Sequence, residues 1–124
     1  VLTLIDTSAW IEALRQKGDD RVRVRVAQLL ADGSAAWCAP VRLELWNGVR
    51  GNAERARLRE MDAVLPRLAI NDDVWNTACD YAIKARGAGL NLPAMDLLIF
   101  ACAKHHGVAL EHTDRHYDLL ATLP

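Results

Sequence analysis

The sequence lacks any apolar run approaching the ~20 residues that a membrane-spanning helix requires. Its first residues lack the basic flank and small-residue cleavage site of a secretory leader. Cysteine is scarce: Cys38, Cys79 and Cys102 form an odd set. That excludes a complete disulfide framework, and their apolar neighbours point to buried free thiols. Charge of one sign is missing too, because 15 Lys+Arg against 16 Asp+Glu leave a net charge of −1. Bulk charge therefore does not advertise a nucleic-acid partner. No repeat, low-complexity segment or long linker interrupts the chain. These absences lead us to expect one cytoplasmic domain spanning 1–124, without a membrane partner and long enough to bury a useful core.

What is present is an ordinary globular mixture, 52% hydrophobic and 25% charged. Twelve of the 15 cations are arginine, the side chain suited to bidentate phosphate contacts. Arg50, Arg55, Arg57, Arg59 and Arg67 gather in one stretch. Glu54, Glu60 and Asp62 are interspersed there, which favours a solvated helix face over a phosphate-contacting strip.

Residues 1–5 read as a buried strand, and "TSAWIEALR" as a helix capped by Thr7 or Ser8. Val22, Val24 and Val26 alternate like a strand. Val22, Val26, Leu29 and Leu30 also share a helical face, and the Asp19-Asp20 cap and Gly33 favour the helix. "SAAWCAP" reads as a short strand, with Pro40 opening the helix "VRLELWNGVRG". "AERARLREMDAVL" is helical, "RLAI" a short strand, and "NDDVWNTACDYAIKARGAG" a capped helix. "PAMDLLIFACAKHHG" is an apolar helix, "VALEHT" a strand, and "DRHYDLLATL" a final helix. Strands alternating with helices predict an α/β fold with a parallel sheet.

In such sheets ligands bind beyond the carboxyl ends of the strands. Asp6 ends the first strand and Asp114 follows "VALEHT". Glu44 lies one turn into the helix after "SAAWCAP", and Asp96 in the first turn after Pro93. Four acids from four segments thus occupy one type of place. Clustered carboxylates repel unless a cation neutralises them. Hard oxygen ligands suit Mg²⁺ or Mn²⁺, and such a site fits metal-assisted phosphodiester hydrolysis. A carboxylate off the metal can orient or deprotonate water. By spacing alone, four unrelated surface acids, some of them helix caps, remain the simpler account.

The segments "LIDTSAWIE", "CAPVRLELWNGVR" and "LPAMDLLIFACAKHHGVALEHTDRHYDLLA" stand in the order and approximate spacing of a PIN-domain ribonuclease. More closely, the chain resembles the VapC toxins of bacterial type II (VapBC) toxin–antitoxin pairs, over nearly its whole length. The resemblance implies a three-layer α/β/α sandwich with a central parallel sheet, often assembled as a homodimer. It implies a catalytic set of Asp6, Glu44, Asp96 and Asp114, with Mg²⁺ or Mn²⁺ held by Asp6, Asp96 and Asp114. Its implied substrate is single-stranded or looped RNA, in tRNA or rRNA. Thr7 and Ser8 match the first motif and are expected to fix water or Asp6, while Thr113 precedes Asp114 as in many relatives. A VapB-type antitoxin is the implied partner. Its groove is expected beside the first helices, around Trp10, Leu14 and the valine run, with Trp46 near Glu44. Relatives commonly carry a further short strand after the last helix. These residues provide none, which leaves that edge of the sheet open but not the acidic site.

His105, His106, His112 and His116 match no common zinc spacing. His105 and His106 close a helix, where cations suit the dipole. His112 and His116 flank Asp114, so one of them is a candidate to face substrate, whereas Asp118 reads as a surface acid. Two competing classes remain to be weighed. A PIN-like binding module with little or no catalysis needs no complete acidic set, yet all four acids are here. A phosphate-receiver domain needs an acidic pair near the first strand and a lysine late in the sheet, yet "LTLIDTSAW" offers one acid and "VALEHTDRH" no lysine.

Overall fold

The computed structural model describes residues 1–124. Its first strand, β1 (Thr3–Ile5), is buried throughout and stops where Asp6 turns the chain. The Asp6 carboxylate accepts from the Ser8 amide and so caps α1 (Thr7–Leu14). A tight link follows. A Cβ on Gly18 would lie 1.8 Å from the Glu12 carbonyl oxygen, so only glycine fits there. The ambiguous valine segment is helix α2 (Asp20–Ala31), because Asp19 accepts from the Arg21 and Val22 amides and nucleates it. Its alternation is not a strand pattern: Val26 and Leu29 are buried while Val24 is exposed.

Strand β2 (Ala35–Cys38) is wholly buried and feeds α3 (Ala39–Asn47), with Pro40 in its first turn. Next come α4 (Gly51–Val64), β3 (Arg67–Leu68) and α5 (Asp72–Gly87). Helix α6 (Ala94–His106) buries seven consecutive residues, Leu97 to Ala103, and is therefore apolar on all sides. Gly107, at φ +64°, ends it in the left-handed conformation that glycine adopts without strain. Strand β4 (Ala109–Glu111) and α7 (Arg115–Ala121) follow, and no strand comes after α7.

All pairings are parallel, with Leu4 opposite Ala36 and Leu110, and Cys38 opposite Leu68. The strand order is β3-β2-β1-β4. Parallel neighbours require crossover helices, and the result is a three-layer α/β/α sandwich around a four-stranded parallel sheet. The chain winds outward from β1 through β2 to β3, then returns to place β4 on the other side of β1. The order therefore reverses beside β1, which makes its carboxyl end the cleft-forming position. The Asp6 amide bonds the Glu111 carbonyl at 2.9 Å and ties the two strand ends together. No helix is long and apolar enough to cross a membrane.

Cysteine burial departs from expectation at one place. Cys38 and Cys102 are buried, but Cys79 is exposed, because its position on α5 faces away from α6.

Candidate active site and metal centre

Asp6 is 4% exposed, so its carboxylate must be satisfied from within. Oδ2 accepts from the Ser8 amide at 3.0 Å and the Ser8 hydroxyl at 2.7 Å. Oδ1 accepts from the Tyr117 hydroxyl at 2.7 Å. Burial and the adjacent Asp6 charge push the Tyr117 phenol well above its usual range, so it stays a donor. Ser8 Oγ also accepts from the Thr113 amide at 3.0 Å. Thr113 thus contributes backbone here, and Ser8 joins the end of β1 to the loop after β4.

Helix α3 supplies Glu44, whose Oε1 accepts from the Thr7 hydroxyl at 2.7 Å. Burial raises the proton affinity of Glu44, with the charges of Asp6 and Asp96 adding to it and the Thr7 bond opposing. Asp96 lies in the first turn of α6. Its pKa is raised chiefly by burial and further by Asp114 and Asp6, against the lowering effect of His116. Asp114 caps α7 by accepting from the His116 amide at 2.9 Å. The His116 ring returns over that cap, with Nδ1 2.8 Å from Asp96 Oδ2 and 3.3 Å from Asp114 Oδ1.

Asp96, Asp114 and His116 each offer a ligand atom within 4.8 Å of the others. Asp6 lies outside that triple, yet its charge is felt by Asp96 and Glu44. None of Asp6, Glu44, Asp96 and Asp114 pairs with a lysine or arginine. Two of them, Glu44 and Asp96, are made costly to ionise by burial and by neighbouring negative charge. A mostly oxygen donor set with unrelieved negative charge fits a hard divalent cation. The cluster can bind a metal.

A family model for the PIN domain matches residues 3–123. The chain belongs to the PIN domain family. Ribonuclease VapC11 of Mycobacterium tuberculosis is 32% identical, over 98% of this chain and 93% of its own. Ribonuclease VapC18 of the same organism is 30% identical, over 96% and 87%. The chain thus belongs with the VapC ribonucleases. Its fold is similar to that of VapBC from Salmonella typhimurium bound to DNA, with TM-score 0.79, 14% identity, and 96% and 91% of the two chains covered. It is also similar to Mycobacterium tuberculosis VapC20, a sarcin-ricin loop cleaving toxin, with TM-score 0.71, 19% identity, and 98% and 96% covered.

In this PIN domain the remaining candidates separate. A groove of about 620 Å³ runs between α1, α3 and α4, with Ile11, Leu14, Leu45, Val49 and Leu58 among its walls. Leu14 lines it as expected. Trp10 does not: it is 1% exposed, since α1 turns it into the core. Trp46 is half-buried and outside the groove lining, and Val26 of the valine run is core. The groove lies across α3 and α4 because α2 covers the other flank of α1 and buries Val26 and Leu29. Glu44 stands in its wall, with Arg15, Arg50 and Arg57 around it. Two of the clustered arginines, Arg50 and Arg57, therefore border the groove, while exposed Arg67 approaches Asp62 at 4.0 Å.

His112 accepts from the Asp114 amide at 3.2 Å and packs against the Tyr117 ring, while Asp118 is largely exposed. Two site residues escaped the motif reading. The sequence offers His116 as a residue facing substrate and gives it no zinc spacing, and its place among the acids follows from α7 starting just after Asp114. Tyr117 carried no signal beyond its position in the same helical turn.

Proposed function

We propose that this PIN domain is the toxin of a VapBC pair. It is a Mg²⁺- or Mn²⁺-dependent endoribonuclease that hydrolyses single-stranded or looped RNA, in tRNA or rRNA, in the cytoplasm. The observation that carries this reading is the meeting of Glu44 and Asp96 with two further acids at the sheet's switch point, where burial and repulsion raise the proton affinity of Glu44 and Asp96. Asp6, Asp96 and Asp114 are the residues to hold the cation. A divalent cation bound there supplies charge stabilisation for the phosphodiester and lowers the pKa of water.

The chain's own groups supply orientation and proton transfer. Three hydrogen bonds fix the Asp6 carboxylate before any ligand arrives. Thr7 occupies one Glu44 oxygen and leaves the other to orient or deprotonate the attacking water. As the water oxygen bonds to phosphorus, one ester oxygen departs with a proton, leaving two RNA ends. His116 holds Asp96 and Asp114 in register from α7.

The partner we infer is a VapB-type antitoxin seated in the α1–α3–α4 groove. Its apolar side chains would meet Leu14, Val49 and Leu58, in the manner of a helix laid in a groove. An arginine or lysine from it would reach the acidic mouth and form a charge-assisted pair there. We also infer that the chain works as a homodimer. Brief expression followed by sequencing of new RNA ends tests the ribonuclease reading. Discrete new ends that vanish in Asp96→Asn support it, and an unchanged RNA population overturns it in favour of a non-catalytic binding module.

A further inference from the structure

The arginines clustered from Arg50 to Arg67 do not share one face. Arg67 approaches Asp62 at 4.0 Å, and Arg55 donates to the Asn52 side chain at 3.0 Å. At roughly 100° per residue, Arg55 and Arg59 point to the opposite side of α4 from Arg57. Arg50 and Arg57 instead line the groove between α1, α3 and α4. Both are exposed, and neither guanidinium forms an ion pair. The third arginine in the groove, Arg15, is held by Glu12 at 3.5 Å. Of the groove's two acids, Glu54 turns back to the start of its own helix and accepts from the Arg50 amide. The other is Glu44, which makes the groove continuous with the acidic mouth.

An RNA cut beside Glu44 continues in both directions, so the strand needs a path out of the mouth. The mouth's four acids have no lysine or arginine among them, and by themselves they repel phosphate. The groove offers the opposite: two unpaired guanidiniums, each a fork of donors matched to phosphate oxygens. Its volume of about 620 Å³ is that of a cleft for a small organic ligand, enough for a short piece of strand. No aromatic side chain lines it, so bases find no stacking surface there.

We propose that the RNA strand leaving the cut lies in this groove with its phosphates on Arg50 and Arg57, held by its backbone and not by its bases. This rests on the ribonuclease reading above and names where its substrate lies. Backbone contacts fix register but carry no sequence information. The two arginines therefore set how tightly RNA binds, and the choice of cut site is made elsewhere. The antitoxin seat inferred above uses the same floor of Leu14, Val49 and Leu58, so a chain with antitoxin bound has no room for this strand.

RNA binding by the full chain in excess EDTA, followed by fluorescence anisotropy across a salt series, tests the proposal. Two looped RNAs of equal length and different loop sequence serve as probes. Each neutralised phosphate of a single strand adds about 0.7 to the slope of log affinity against log salt. Arg50→Gln and Arg57→Gln should each lower that slope by about 0.7 and weaken binding several-fold, equally for both RNAs. Arg57→Lys keeps the charge and should keep the slope, a rescue that a merely structural role does not give. Arg55→Gln and Arg59→Gln, on the outer side of α4, should leave binding unchanged. With Mg²⁺ restored, Arg50→Gln/Arg57→Gln should raise KM and leave the position of the cut where it was. A wild-type chain that binds neither RNA, with or without Mg²⁺, overturns the ribonuclease reading together with this one. An unchanged slope in the double variant, an equal loss from Arg55→Gln or Arg59→Gln, or a loss confined to one loop sequence would overturn the groove path and leave the ribonuclease reading standing.

Discussion

The Tyr117 hydroxyl donates a 2.7 Å hydrogen bond to Asp6 Oδ1, joining α7 to the end of β1 across 111 positions of sequence. Both groups are buried, with Tyr117 1% and Asp6 4% exposed. The phenol therefore stands where water would otherwise solvate the carboxylate, and it fixes the direction in which Asp6 faces.

Tyr117→Phe keeps the ring and removes the donor. A buried hydrogen bond to a charged group contributes about 1.5–3 kcal/mol, so chemical denaturation should show a loss of that order. RNA cutting should fall, and the metal concentration giving half-maximal rate should rise, because Asp6 loses its alignment. Wild-type stability and wild-type metal dependence would contradict this role.

Asp96→Asn exchanges activity for stability. Its carboxyl is held above the usual range chiefly by burial, and the amide carries no charge to desolvate. In the absence of metal the variant should melt higher than wild type, by about 2–5 °C. RNA cutting should drop by at least about a hundredfold, a typical loss for a transition-state-stabilising group. A variant that melts lower and still cuts would contradict the electrostatic account.

The same shifts give a signed pH dependence. Glu44 and Asp96 bind protons more tightly in the folded chain than in the unfolded one. At pH below the ordinary carboxyl range both states are protonated and nothing is lost. As pH rises through that range the folded state pays for ionising these groups, and the loss is complete above their raised values. Asp62, held low mainly by its bond from Arg42, works in the opposite sense. The comparison must therefore be made against Glu44→Gln/Asp96→Asn, which keeps Asp62. Without metal, the stability of the double variant relative to wild type should grow between acidic and neutral pH. A difference independent of pH would contradict the shifts.

The groove carries its own prediction. Leu14→Glu places a charge on the apolar wall of the groove that Glu44 also lines. Copurification with the co-expressed antitoxin should be lost, while the thermal melting of the isolated variant stays close to wild type, as expected for a change at a partly exposed position. Retained copurification would move the partner elsewhere.

Local chemistry made most of the fold legible. Asp19, Pro40 and Gly107 mark helix ends through bonds or backbone geometry that involve only near neighbours. Asp6, Glu44 and Asp114 stood out because each follows a strand, and strand ends converge in a parallel sheet, whereas Asp96 opens α6 directly after α5 and stood out by the motif alone. What was not legible depended on which face a neighbour covers. Trp10 looks like groove lining until α1 packs on α2 and α3. Cys79 looks buried until α5 turns its other side to α6. Periodicity marks a helix face as apolar but does not say what meets it. His116 joins Asp96 from 20 positions away, a relation that arises only when α7 docks against α6.

The most direct test is cutting of a defined RNA loop by the purified chain, with metal removed and then restored. The acidic mouth is predicted to be silent in excess EDTA, to regain cutting with Mg²⁺ or Mn²⁺, and to remain silent in Asp96→Asn under both conditions. Cutting at an undiminished rate in excess EDTA, shared by Asp96→Asn prepared alongside, would contradict the account at its centre.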